Sequence, residues 1–99
     1  APSSAPDVFA LGGMLPNPVR AAGRIRFDVP EASAVTIEVF DVLGRLASSV
    51  VDGRVAPGRH EVSWSAAGFP SGTYLVRMRA RPESGGVAFE QTRRMTVTR

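Results

Sequence analysis

The sequence predicts an all-β domain in which two antiparallel sheets stack face to face. In most segments apolar residues alternate with polar ones, and this period of two is typical of strands with one buried face. Glycine and proline, 10 and 8 of the 99 residues, fall between these segments, where they mark turns. No long stretch shows the 3.6-residue period of a helix. Short strands of this kind can bury their apolar faces only by stacking two sheets.

The first two strands flank a proline-rich corner. The apolar run Val8–Leu11 is expected to stop at the Gly-Gly pair that follows it. The segment Leu15-Pro16-Asn17-Pro18 must be extended, because a proline disfavours helix at the residue before it. We therefore expect an edge strand and a rigid corner. A strictly alternating strand then runs from Arg24 to Val29.

The middle of the chain predicts a hairpin and a further strand. Val35, Ile37 and Val39 alternate with polar residues, and Asp41-Val42-Leu43-Gly44 follows as a tight turn. A weaker strand is expected over 45–51, with turns at Asp52-Gly53 and Ala56-Pro57-Gly58. In the next strand His60, Val62 and Trp64 share the apolar face.

The last third predicts one more hairpin. Pro70-Ser71-Gly72 opens a strand in which Tyr74, Val76, Met78 and Ala80 alternate with mostly polar residues. A loop over 82–86 leads to a final strand over 87–98, with Phe89, Met95 and Val97 inward and Arg94, Thr96 and Thr98 outward. The whole chain thus predicts an immunoglobulin-like Greek-key β-sandwich of about seven antiparallel strands.

The first residues differ in composition from the rest. Residues 1–7 are rich in alanine, proline and serine, which is typical of the end of a semi-rigid linker. We expect residues 8–99 to form the domain itself. The chain does not begin with methionine, so we expect the C-terminal module of a larger protein, with a preceding domain in the same chain.

Composition excludes several classes of protein. Without cysteine the core has no disulfide and the chain no thiolate chemistry. The net charge of +3 comes from arginines that stand beside acidic residues, whereas a nucleic-acid module concentrates one sign on one face. The apolar runs are far shorter than a transmembrane helix requires. We expect a monomer that binds no nucleic acid.

Five short segments, in this order, carry a resemblance to a known family. They are Pro16-Asn17-Pro18, the strand 25–30, the segment 39–45 with Asp41, Gly44 and Arg45, the strand 58–64 that ends at Trp64, and Ser71-Gly72-Thr73-Tyr74. Their combination resembles the type A C-terminal sorting domains of the type IX (Por) secretion system. It is also similar to the immunoglobulin-like domain of flagellar hook-capping proteins.

The sorting-domain resemblance implies a secreted protein whose last domain is read by the export machinery, and which is then tethered at the outer cell surface. The export machinery would recognise the fold together with its last strand. Many members carry lysines near the end of that strand, and Arg93, Arg94 and Arg99 occupy comparable places here. These three arginines are the expected recognition residues.

No catalytic or metal site can be assembled from the sequence. His60 is the single histidine, and the serines lie in linker, turn or outward strand positions, so a nucleophile and base pair is not expected. Asp28, Glu38 and Glu61 alternate with core residues, where they are expected to pair with arginines across strands. Asp41 and Asp52 are more typical of turns than of a calcium site. We expect no enzyme activity, no cofactor and no metal.

Two alternatives to export remain open. A carbohydrate-binding accessory module would present several aromatic rings on one face, but Trp64 is in register with the core and only Phe40 is out of step. An assembly module of the hook-capping kind would share the fold. The leading hypothesis is a non-catalytic module of a secreted protein, in particular of an extracellular hydrolase, that mediates type IX secretion and attachment to the cell surface.

Overall fold

The computed structural model describes residues 6–98, which form seven strands and no helix. The strands are β1 (Ala10–Leu15), β2 (Ala22–Val29), β3 (Ser33–Asp41), β4 (Leu46–Val55), β5 (Gly58–Ser65), β6 (Gly72–Pro82) and β7 (Phe89–Val97). One sheet has the order β1-β2-β5 and the other the order β4-β3-β6-β7, and all neighbouring strands are antiparallel.

The connections give a Greek key. Hairpins join β1 to β2, β3 to β4 and β6 to β7, each within one sheet. The links from β2 to β3, from β4 to β5 and from β5 to β6 cross between the sheets. The predicted immunoglobulin-like Greek-key sandwich is confirmed, with β4 on the edge beside β3.

The core lies between the sheets and consists of the residues that the alternation places inward. The fully buried side chains include Leu11, Ile25, Val29, Val35, Ile37, Val39, Val76, Met78, Met95 and Val97. Trp64 is 6% exposed, so its predicted burial is confirmed. Phe40 is half-buried on the outer face. This position agrees with the sequence, in which Phe40 is out of step with the inward residues Ile37 and Val39.

Several strand boundaries differ from the expected ones, three of them for a clear reason or by more than one residue. β1 continues through Gly12 and Gly13, because a bulge between Leu11 and Gly13 absorbs one residue while β2 runs on beside it. β4 continues through Asp52 and Gly53, since β3 pairs with both. β7 begins at Phe89 and not at Val87. A glycine pair or an Asp-Gly pair thus fails to end a strand whose neighbour continues.

Ion pairs cover the outer faces of both sheets. Glu61 accepts from Arg24 and Arg26 at 3.3 and 3.1 Å, and Arg77 reaches Glu38 at 3.5 Å. These are the cross-strand pairs expected for Glu38 and Glu61, whereas Asp28 has no ion pair within residues 6–98. None of the described segments is a helix able to cross a membrane.

Candidate functional site

The Pro16-Asn17-Pro18 corner and the last strand lie side by side, although almost the whole chain separates them. The Asn17 side chain donates through Nδ2 to the Arg94 carbonyl at 3.4 Å, and its Oδ1 accepts from the Thr96 amide at 3.0 Å. Val19 continues the contact, since its amide donates to the Thr96 carbonyl at 2.8 Å and its carbonyl accepts from Thr98 at 2.9 Å. We call this segment, Pro16 to Val19, the edge clamp.

The clamp satisfies backbone groups that an edge strand would otherwise leave unpaired. The Asn17 carboxamide has one acceptor and a donor, so it can replace a peptide group opposite β7. The flanking prolines have no amide hydrogen to offer, which leaves this pairing to the Asn17 side chain. Both the Leu15-Pro16 and the Asn17-Pro18 peptide bonds are cis. The four residues of the edge clamp thus cover the edge of β7.

The upstream part of β7 is joined to the other sheet by side chains. The Gln91 Oε1 accepts from the Leu11 amide at 3.1 Å, and the Arg93 Nε donates to the Leu11 carbonyl at 3.0 Å. Two side chains of β7 therefore cap the backbone of one residue of β1. They cap it at the bulge, where β1 has no strand partner on this side.

Arg93 and Arg94 lie on opposite faces of β7. Arg93 lies on the same face of β7 as Met95 and Val97, because strand residues two apart share a face. Its Nε donates to the Leu11 carbonyl, while the residue as a whole stays exposed. Arg99 lies outside the described residues.

The outward face of β7 is short and carries one free cation in the described part of the chain. Thr92 and Arg94 are exposed, and Thr96 and Thr98 are half-buried. Arg94 has neither an ion pair nor a side-chain hydrogen bond to any residue between 6 and 98. On the inner side Met95 and Val97 are 0% and 1% exposed, which anchors the strand.

The motif residues of the β3–β4 turn form a closed hydrogen-bond set. Asp41 Oδ1 accepts from the amides of Leu43 and Arg45 at 2.9 and 3.0 Å, and its Oδ2 accepts from Arg45 Nε at 2.9 Å. Gly44 has a φ of +83°, which only glycine adopts readily. The Arg45 amide first, and then its side chain and the Leu43 amide, hold the pKa of Asp41 below its ordinary value.

The remaining motif residues support the crossing from β5 to β6. Phe69 packs between Trp64 and Tyr74, with ring centroids 4.8 and 5.8 Å away. The Tyr74 hydroxyl donates to the Pro70 carbonyl at 2.7 Å, as in the tyrosine corner of immunoglobulin-like domains. Ser71 and Gly72 are exposed, and Gly72 lies opposite Val97 with a φ of +155°. These residues therefore fix the end of the sandwich at which β7 finishes.

Reactive groups do not converge in the part of the chain that the structure describes. No cluster of three or more histidine, cysteine, aspartate or glutamate side chains that could hold a metal ion occurs there. The ring of His60 lies 2.7 Å from the Ala56 carbonyl through Nε2 and stacks on Phe27 at 5.2 Å. His60 is thus part of the packing between β5 and β2.

Sequence reasoning missed the partners that make the site. Gln91, Arg93 and Asn17 each bond to backbone more than 70 residues away, and alternation carries no signal for such contacts. Phe69 was missed because it lies in a turn and not in an alternating strand. An amide residue held between two prolines is the one local signal that could have indicated an edge cap.

Comparisons with known proteins agree with this architecture. The family model described as "Secretion system C-terminal sorting domain" matches residues 13–85. No curated protein matches the chain. Among solved structures the chain is similar to CopC from Methylosinus trichosporium OB3b, with 23% identity, a TM-score of 0.56, and coverage of 91% of this chain and 93% of that one. At this identity the likeness to CopC supports the shared β-sandwich fold alone.

Proposed function

Because this chain belongs to the family of type IX secretion C-terminal sorting domains, we propose that β7 and its edge clamp are the surface that the export machinery reads. The chain is a sorting module of a secreted or cell-surface protein. The observation that carries the proposal is the difference between the two sides of β7, one buried and one exposed. Its inner side is anchored by Met95 and Val97, while its outer side presents the free guanidinium of Arg94.

A rigid strand with an exposed polar face suits recognition by another protein. The clamp orders the backbone of residues 94–98 before any partner arrives, so less conformational entropy is lost on binding. Arg94 offers planar donors to a carboxylate without first leaving another partner. Recognition therefore centres on Arg94 and, beyond the described residues, on Arg99. Arg93 contributes by holding β7 against β1.

The finer features of the module follow from the same proposal. Residues 1–7 serve as the end of a linker, and residues 8–99 act as the C-terminal module of a larger protein. That parent is an extracellular hydrolase, and the module itself is a monomer that catalyses nothing. Attachment at the outer cell surface follows export. The family's role in secretion supports a module that is itself non-catalytic.

Secretion of a reporter fused ahead of the domain tests the proposal in a host that has the type IX machinery. We expect the reporter at the cell surface with the intact domain and inside the cell without it. Arg94→Gln should reduce surface reporter while leaving stability within about 0.5 kcal/mol, as is usual for surface substitutions. Arg81→Gln is the matched control, because Arg81 is also exposed and unpaired among the described residues but lies at the other end of the same sheet.

The outcomes separate the two parts of the proposal. If the reporter reaches the surface equally well without the domain, the sorting function is wrong for this chain. If deletion abolishes export but Arg94→Gln and Arg81→Gln behave alike, the domain sorts and the role of Arg94 is wrong. Arg93→Gln is not a suitable probe, since it would also remove the bond to Leu11.

A further inference from the structure

Exposed apolar side chains are concentrated at one end of the sandwich. Among residues 6–98, six large apolar side chains are at least half exposed: Val8, Leu15, Val42, Leu43, Leu46 and Val87. Four of them, Leu15, Val42, Leu43 and Leu46, lie at the end where β7 finishes. Scattered exposed leucines are common, but a cluster of them marks a contact surface.

The cluster continues from the hairpin tip onto the outer face of the four-stranded sheet. The register aligns Leu46 of β4, Phe40 of β3 and Leu75 of β6 in one row, which ends at Arg94 of β7. Four adjacent strands span about 14 Å. We call Phe40, Val42, Leu43, Leu46 and Leu75 the apolar corner.

Cations surround the apolar corner. Arg94 ends the row, Arg45 lies in the turn, and Arg20 follows Val19, which is bonded to the last residues of β7. Asp41 pairs with Arg45 at 2.9 Å, and on the same outer face Glu38 pairs with Arg77, whose guanidinium lies 4.5 Å from the centre of the Phe40 ring. Arg20 and Arg94 keep their charge unpaired within residues 6–98. The end is therefore cationic as well as apolar.

The opposite end carries more carboxylates in its loops. Its loops carry Asp7, Glu31 and Glu83, and Glu83 is paired with Arg54 at 2.6 Å. Val87 is the most exposed large apolar residue there, at 90%. The two ends thus differ in apolar exposure and in the carboxylates beside it, although Arg81 at this second end is also exposed and without an ion pair within residues 6–98.

The hairpin tip is rigid and protrudes. Val42 and Leu43 are 68% and 74% exposed, and the Asp41 carboxylate fixes the backbone on both sides of them. Exposed apolar side chains at a loop tip can insert at the headgroup boundary of a membrane, and surrounding arginines are attracted to anionic lipid headgroups. We propose that the apolar corner docks on an anionic lipid surface, with Val42 and Leu43 inserted at the headgroup boundary and Arg20 and Arg94 against the headgroups.

Vesicle sedimentation with the 99-residue chain tests this inference, which goes beyond the proposed function. We expect binding to vesicles of phosphatidylglycerol and phosphatidylcholine, and much weaker binding to phosphatidylcholine alone. Arg94→Gln should weaken binding about fivefold, as expected for one cation near an anionic surface. The double substitution Val42→Ser and Leu43→Ser should weaken it more than about tenfold, because two exposed apolar side chains no longer enter the membrane.

Val87→Ser is the control, since it removes an apolar side chain that is even more exposed, at 90%, from the opposite end. Circular dichroism on each variant checks that the fold is retained. Equal loss of binding in Val87→Ser and in the double variant overturns the inference, as does the absence of binding to anionic vesicles. Concentration-dependent dimerisation that requires Leu43 also overturns it, because the occupant would then be a second copy. The readout involves no export, so its failure is distinct from that of the sorting proposal.

Discussion

The side chain of Asn17 pairs with the backbone of β7 at the edge of the four-stranded sheet. It is exposed, yet its carboxamide bonds both to the Arg94 carbonyl and to the Thr96 amide. Aspartate at this position would keep the acceptor but lack the donor. The residue therefore closes the edge of the strand that we propose as the recognition surface.

Asn17→Ala tests this role at the scale of one residue. The Thr96 amide would lose its acceptor, so its hydrogen exchange should become faster. Exchange at Thr98 should change less, because Thr98 donates to the Val19 carbonyl at 2.9 Å. Stability should fall by about 1 kcal/mol, the usual contribution of a hydrogen bond. Asn17→Asp keeps the acceptor and should preserve protection at Thr96; unchanged exchange at Thr96 in Asn17→Ala would contradict the clamp.

Among the elements, the β3–β4 turn is the one whose geometry depends on a charge. Asp41 is hydrogen-bonded as a carboxylate to two amides and one guanidinium, so the pKa of its carboxyl in the folded chain lies below the ordinary value of 3.8. A lowered folded pKa means that the carboxylate contributes stability above the unfolded pKa. This contribution is lost as pH falls through the folded pKa.

An NMR titration of the turn measures that dependence. The amide shifts of Leu43 and Arg45 should change together with a midpoint below pH 3.8. Asp41→Asn keeps an oxygen acceptor without the charge, so these shifts should then lose their acid-dependent change. A midpoint at or above 3.8 in the unmodified chain would show that the hydrogen bonds to Arg45 and Leu43 do not favour the charged form.

Elements also show what alternation can and cannot predict. Seven strands and their inward residues, Trp64 and Met95 among them, follow from the period of two because burial acts on each strand locally. The length of β4 did not follow, since Gly53 stays in the strand only because Val35 lies opposite it. The contact of Asn17 with β7 did not follow either, because it depends on how the two sheets are placed.

At the scale of the whole molecule, β7 links the four-stranded sheet, to which it belongs, with the three-stranded sheet. It pairs with β6 along its length, it bonds through Gln91 and Arg93 to β1, and the clamp joins it to the segment before β2. The two sheets share one core, to which Met95 contributes a side chain with 0% exposure. A substitution that disrupts β7 should therefore also destabilise the three-stranded sheet.

Met95→Ala tests this coupling, because the single tryptophan, Trp64, lies on β5 in the sheet that does not contain Met95. The substitution should cost about 2–5 kcal/mol, the range for emptying a buried site of this size. Each kcal/mol should lower the melting temperature by about 4–8 °C in a domain this small.

Trp64 fluorescence and far-UV circular dichroism should give the same midpoint, before and after substitution, if the sandwich unfolds as one unit. Thr92→Ala, at an exposed outward position on the same strand, should shift neither midpoint appreciably. A lowered midpoint by circular dichroism with an unchanged fluorescence midpoint would mean that β7 separates while the three-stranded sheet stays folded, and the two sheets would then not be coupled through β7.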